Sequence, residues 1–476
     1  MQRAGWFVVA LVAASCLKTN LKYCDALIGC ADGKACNLAV HECETTDAGA
    51  EVPDLSRLGD MSGCAPVCTG TAPICLESSC VACQTVSDPD GACVSLGSGT
   101  PFCVSNGQLR GECVGCRSNG DCPNPAQPIC DPMKSQCRPC TSDNDCTSSL
   151  VCQLIPTSSS RGRCVDSSQV VFVRANAPGG GDGLSPTSAL QKVGDGINKA
   201  KATGRSIVRI ANATYMENLN INNQTVALVG EAGATLKPAS TGNPVVVVSG
   251  TADVTLRNLI VTGAASASGV NCTGAGVFSA YQTQFVGNNF FGVNGGLCPL
   301  TLDGCFIDSN TNGGGVEMSA RFTIVNSIIT NNGGAGGVVQ MVAASPAAFV
   351  NNTVADNTSA NATAGVTCAS AGSVMLTNTI LYNNLTAITG TETNCTTSSS
   401  ATDDSNDANA RVKLSTTNPP GFVATSPKTA GTYHLTTGSI CRDAGSLTGA
   451  PDHDFDLNPR PDPTTMRVDI GAVEVQ

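Results

Sequence analysis

The sequence predicts an all-β solenoid preceded by a disulfide-rich N-terminal region of little regular secondary structure. Three observations carry this. A six-residue segment recurs every 21 to 27 residues through the second half of the chain. Of 27 cysteines, 20 lie between Cys24 and Cys164. Charged residues make up only 13% of the 476 positions, about half of the usual ~25%.

The recurring segments are Leu256–Val261, Tyr281–Val286, Leu302–Ile307, Ile324–Ile329, Phe349–Val354 and Leu376–Leu381. Their third position holds Asn258, Thr283, Gly304, Asn326, Asn351 and Asn378. Downstream runs a second asparagine column, Asn289, Asn310, Asn332, Asn357 and Asn384, and then an apolar column, Val270, Val293, Val316, Val338, Val366 and Ile388. Self-similarity at such a period marks a solenoid. Short β-branched runs separated by turn residues, with no helical period, make it a solenoid of strands. Stacking rungs about 4.8 Å apart lays like residue over like. Aliphatic columns then fill a continuous core, and asparagine suits the corners because it tolerates the left-handed region and can ladder.

This pattern resembles the right-handed parallel β-helix of the pectin-lyase-like superfamily. Val171–Val173, the Gly179–Gly183 loop and a helix near 188–203, with apolar Leu190, Val193, Ile197 and Ala200, resemble the entry strand and capping helix of that family. Tyr433–Leu435, Cys441–Gly445, Asp454–Asp456, Arg460 and Asp469–Glu474 resemble the terminal segment often called a choice-of-anchor domain. The resemblance implies a β-helix over 169–390 and, over 391–476, a Ser/Thr/Asp-rich loop followed by a C-terminal cap.

Residues 1–15 read as a secretory signal peptide: a basic start at Arg3, then an apolar run too short to span a bilayer. Ala13-Ala14-Ser15-Cys16 resembles a lipobox, which makes Cys16 the lipidation candidate. Without it, 26 cysteines remain, an even number on either side of residue 169, as complete pairing within each region requires. Residues 16–63 form a Cys-containing segment and linker. Over 64–166 the spacing repeats, as Cys80-x-x-Cys83, Cys113-x-x-Cys116 and Cys137-x-x-Cys140, each followed by two further cysteines. Such spacing also suits zinc or redox chemistry, but behind a signal peptide it reads as a disulfide stalk. It resembles the Cys-rich repeats of myxobacterial secreted lipoproteins. The expected location is therefore the outer membrane or cell surface of a Gram-negative bacterium.

Chemistry is sparse. A net charge of −11 excludes nucleic acid as a main partner. Three histidines far apart in sequence do not form a recognisable metal site or triad. The resemblance implies relatives that cleave acidic polysaccharides. Such chemistry needs a basic side chain beside carboxylates, with Ca²⁺ in lyases, or a carboxylate pair in hydrolases. The coil offers Asp303, Asp308, Asp356 and Glu317 with Arg257 and Arg321, which are not expected to stack in one column; Asp308, Asp356, Arg257 and Arg321 are the catalytic candidates. In the cap, Asp454, Asp456 and Asp469 are Ca²⁺ candidates, with turn-forming aspartates as the simpler reading. The single tryptophan, Trp6, lies in the signal peptide, and Tyr382 is the aromatic placed to stack on a sugar. Cys272 with Cys298 and Cys368 with Cys395 sit one rung apart and read as disulfides, which leaves Cys305 with Cys441. The expectation is a non-catalytic surface protein contacting polysaccharide or matrix without a cofactor. The alternative is a polysaccharide lyase or glycoside hydrolase.

Overall fold

A computed structural model of the protein describes residues 68–76, 79–96, 99–106, 109–334, 338–341, 347–359, 364–368, 374–386, 392–424 and 429–476, with the backbone of Ala35–Asn37 and Glu42–Glu44. The expected signal peptide over 1–15, the lipidation candidate Cys16 and Ile388 lie outside the described residues. The chain divides into two compact units, Met1–Gly115 and Cys116–Gln476. The division falls inside the segment expected to be one stalk, so its last cysteines belong to the same unit as the solenoid.

In that second unit the chain winds through three parallel sheets of ten, ten and eight strands. Sheet 1 runs from Val170–Val173 to Thr396–Ser398, sheet 2 from Thr214–Met216 to Val412–Lys413, and sheet 3 from Leu219–Asn222 to Glu392–Thr393. Like stacks on like. Val208, Leu228, Leu256, Ala280, Leu302, Ile324, Phe349 and Leu376 are in register along sheet 1. Each is fully buried, and with Val261, Phe285, Ile307, Ile329 and Val354 of sheet 2 they form one core.

The register corrects three positions. Ala280, not Tyr281, continues the inward column, which turns Tyr281 outward behind Arg257. Val339, not Val338, pairs with Val316. Asn288, not Asn289, begins the ladder: its Nδ2 donates to Asn310 Oδ1 at 3.0 Å. The series continues through Asn332, Asn357 and Asn384. Each of the first four also donates to a carbonyl of sheet 2, and its own backbone N–H is accepted by the next amide oxygen. Buried amides satisfied in this way hold rung spacing without desolvation cost.

The other corner column, Asn258, Gln282, Gly304, Asn326, Asn351 and Asn378, has φ between 49° and 61°. There asparagine supplies the left-handed turn. The expected loop over 391–410 contains strands, and only 403–410 are turns. Thr396–Ser398 and Ala401–Thr402 add another rung, its interior filled by Thr397 and Thr402, both buried. The expected entry helix spans Val193–Thr203 and ends at Gly204 in the left-handed region. Glu217 accepts the N–H groups of Val193 and Gly194 at its start. A Cβ on Gly196 would lie 2.6 Å from Val173, so only glycine lets the helix seat on the first rung.

The cysteines form interlocked four-Cys modules, first to third and second to fourth. Cys83–Cys103 and Cys93–Cys113 close one module in the first unit. Cys116–Cys130 with Cys122–Cys137, and Cys140–Cys152 with Cys146–Cys164, close two in the second. Each Cys-x-x-Cys is thus the joint between modules rather than the head of one. Three groups of sulfurs approach closely enough to suggest a metal site, but all are engaged in these disulfides. A further motif is shared. The third cysteine's N–H donates to a side-chain oxygen three residues before the second cysteine: Asp90, Asn119 and Asp143.

Candidate functional site on the outer face of the first sheet

Sheet 1 presents two columns outward. One holds Thr255, Ser279, Thr301 and Thr323, followed by Ala348. The other holds Arg209, Val229, Arg257, Tyr281 and Asp303. The first column borders an open groove of about 380 Å³, lined by Thr301, Thr323 and exposed Arg321 with Val277, Pro299 and Phe322.

The second column is roofed. The last Cys module lowers Asp143 onto two arginines, with Asp143 Oδ1 2.6 Å from Arg257 Nη2 and Oδ2 3.4 Å from Arg209 Nη1. Glu231 stands 3.7 Å from Arg209. Burial holds the Arg209 pKa below the ordinary guanidinium value, against the pull of both carboxylates. Farther along, Leu154 and Pro156 of the module and Leu457 of the C-terminal segment enclose a cavity of about 160 Å³ over Arg257, Tyr281 and Asp303.

Behind Asp303 lies a polar cluster under the C-terminal segment. His453 Nε2 is 3.0 Å from both Asp303 oxygens, and Nδ1 is 2.7 Å from Asp452. Burial opposes the imidazolium, but the two carboxylates outweigh it and hold the His453 pKa above the ordinary imidazole value. Asn326 donates to Asp303 and accepts from Arg460 at 2.6 Å. Arg460 donates further to Glu474 at 2.8 Å and to the carbonyls of Gly471 and Ala472. Burial pushes the Glu474 carboxyl up, in spite of Arg460 beside it.

The corner column is what this C-terminal segment docks on. Gln282 donates to Phe455 O, Asn351 to Asp469 O and Gly471 O, and Asn378 exchanges two hydrogen bonds with Ser446. The segment also buries the outer face of sheet 2, packing Tyr433, Ala472 and Val473 on Phe306, Ile328 and Ala355.

These contacts separate the sequence candidates. Arg257 and Arg321 both lie on sheet 1, but Arg257 is ion-paired in the roofed column and Arg321 stands in the open groove. Asp308 and Asp356 are on sheet 2 beneath the cap, where Asp308 accepts from Ser309 and Asn331 and Asp356 from Tyr433 and Asn383. Tyr382 is half-buried and packs edge-to-face against Phe422 there, 6.4 Å between ring centres. Asp454 accepts three backbone N–H groups and Asp469 two, while Asp456 faces His434 at 3.3 Å. Asp454 and Asp469 thus serve the backbone of the C-terminal segment.

Cys272–Cys298 and Cys368–Cys395 are disulfides. Cys305 and Cys441 are not bonded to each other. Cys305 replaces the Ser327 and Asn352 type of corner residue inside the main core, whereas Cys441 packs with Ile380 and Leu435 beneath the cap. Burial pushes both thiols up to about 12. The Asp303–His453 pair was missed by sequence reading, since no spacing rule links residues 150 apart.

No family model and no curated protein matches the chain. Among solved structures, the crystal structure of pectate lyase Pel9A aligns with a TM-score of 0.40 at 14% identity, covering 64% of this chain and 96% of that one.

Proposed function

We propose that this is an exported, lipid-anchored, non-catalytic surface protein whose solenoid holds polysaccharide along the outer face of sheet 1. The observation that carries the reading is the open groove. Its stacked hydroxyls at Thr301 and Thr323 repeat at rung spacing and stand beside the Arg321 cation and the apolar surface of Val277 and Pro299. A periodic polymer is matched by a periodic row of donors and acceptors. The carboxylates that catalysis would use are engaged in side-chain hydrogen bonds, at Asp308 and Asp356, or with His453, at Asp303, which supports binding over turnover. Disulfide modules suit an oxidising compartment, and the N-terminal sequence supports export and a lipid at Cys16.

Glycan-array binding, followed by titration of Arg321→Ala/Thr323→Ala, tests the reading. The expected result is binding weakened at least about tenfold, equivalent to ~1.4 kcal/mol. A protein that binds no glycan, or a variant that binds as before, overturns it. The alternative, a polysaccharide lyase or hydrolase, draws on the Asp303–His453 pair beside the cavity. Release of unsaturated products or reducing ends from uronate polysaccharides with Ca²⁺, abolished in Asp303→Asn, would establish it instead.

A further inference from the structure

We propose that the roofed cavity over Arg257, Tyr281 and Asp303 is a second, separate subsite that takes one neutral, hydroxyl-rich six-membered ring, the terminal hexose of a glycan. This rests on the polysaccharide-binding reading above. Size comes first: about 160 Å³ is on the scale of the ~150 Å³ cavity that holds benzene, so the site has room for at most one ring and a polymer does not thread through. The walls come next. Leu154, Pro156, Leu457 and the Tyr281 ring give apolar faces, which suit the C–H face of a sugar.

The polar groups select the chemistry. Asn258 and Gln282 each commit one amide N–H, to Gly230 O and Phe455 O, and keep the side-chain carbonyl and a second N–H for a ligand. Asp143 and Asp303 add carboxylates, and the one cation, Arg257, is already paired with Asp143. Carbonyls and N–H groups side by side suit hydroxyls that donate and accept, and with Arg257 already committed to Asp143 a carboxylate-bearing sugar finds no unpaired cation here. The cavity also adjoins the groove. Thr301 and Asp303 are alternate outward residues of one strand, about 7 Å apart, so a chain lying in the groove can turn its end ring into the cavity.

The test titrates full-length protein with the methyl pyranosides of glucose, galactose, mannose and galacturonic acid, read by ligand-observed NMR. Pro156→Trp and Leu457→Phe fill the cavity from two different segments, and Arg321→Ala disables only the groove. At least one neutral glycoside is expected to bind at least about tenfold more tightly than the galacturonide. Binding should be lost in a filling variant that retains the wild-type Tm and kept in Arg321→Ala. Equal or stronger galacturonide binding overturns the proposal, as does monosaccharide binding that survives both filling variants. Polymer binding with no monosaccharide binding overturns the cavity and leaves the groove standing. Loss of both overturns both.

Discussion

The Cys modules and the solenoid hold their chain in place by opposite means. Module 140–164 buries little beyond its own cysteines, Ser149 and Val151, and is closed by two interlocked disulfides. The solenoid needs few cross-links because each rung finishes the core of the previous one, from Val208 to Leu376 in one column. Covalent closure stabilises by constraining the unfolded chain, while stacking stabilises by removing apolar surface from water. Two regions of one polypeptide should therefore fail under different insults.

The largest effect expected is from reduction. At ~2–5 kcal/mol for each native disulfide lost, a strong reductant should unfold the modules, with hydrogen exchange erasing protection at the Cys130 and Cys152 amides. Strands such as Leu300–Asp303 should stay protected. Simultaneous loss of both would break the contrast. Next comes the core. Phe349→Ala, at a fully buried position, should cost about 3–5 kcal/mol in urea denaturation and leave module disulfides intact by mass mapping.

The ladder follows. Asn332→Ala removes donors to Ile307 O and Asn357 Oδ1 and the acceptor of Asn310. The groups left unsatisfied should cost about 1–3 kcal/mol. An unchanged midpoint would mean the ladder is not a stabilising element. The smallest effect concerns His453. Its pKa is raised on folding, so its contribution is fully present below the unfolded value of about 6.5 and is lost as pH rises through the folded one. The stability gap between wild type and His453→Gln should accordingly shrink from about pH 6 to pH 9. Asp303, Asp452, Asn326 and, through Asn326, Arg460 face that ring. A gap that widens with pH reverses the sign and the assignment.

The solenoid was legible because stacking forces one residue type to recur, and a repeated Leu256, Leu302, Ile324 and Phe349 announces itself. The one-residue slips at Tyr281 and Asn289 arose where two neighbours could both serve, Ala280 beside Tyr281 and Asn288 beside Asn289. Thr396–Thr402 was hidden because small hydroxyl residues fill its interior and hydrogen-bond back to the chain, as Ser400 does to Leu376 O. The site was hardly legible at all. Arg257 meets Asp143 across 114 residues and Asn326 meets His453 across 127, and no local pattern encodes such meetings. Pairing within the Cys modules was equally closed to inspection, although the Asp or Asn three residues before each second cysteine was a readable sign of modular repetition; in the solenoid, rung spacing did reveal Cys272–Cys298 and Cys368–Cys395.

The corner side chains from Gln282 to Asn378 give the last stretch of chain a grip on several successive circuits at once. A coil tugged at its tail would ordinarily peel away one turn after another, each yielding to a small force. Here the tail must shear from several storeys together before the first can unwind, so a pull on the C-terminus is shared among rungs instead of falling on one.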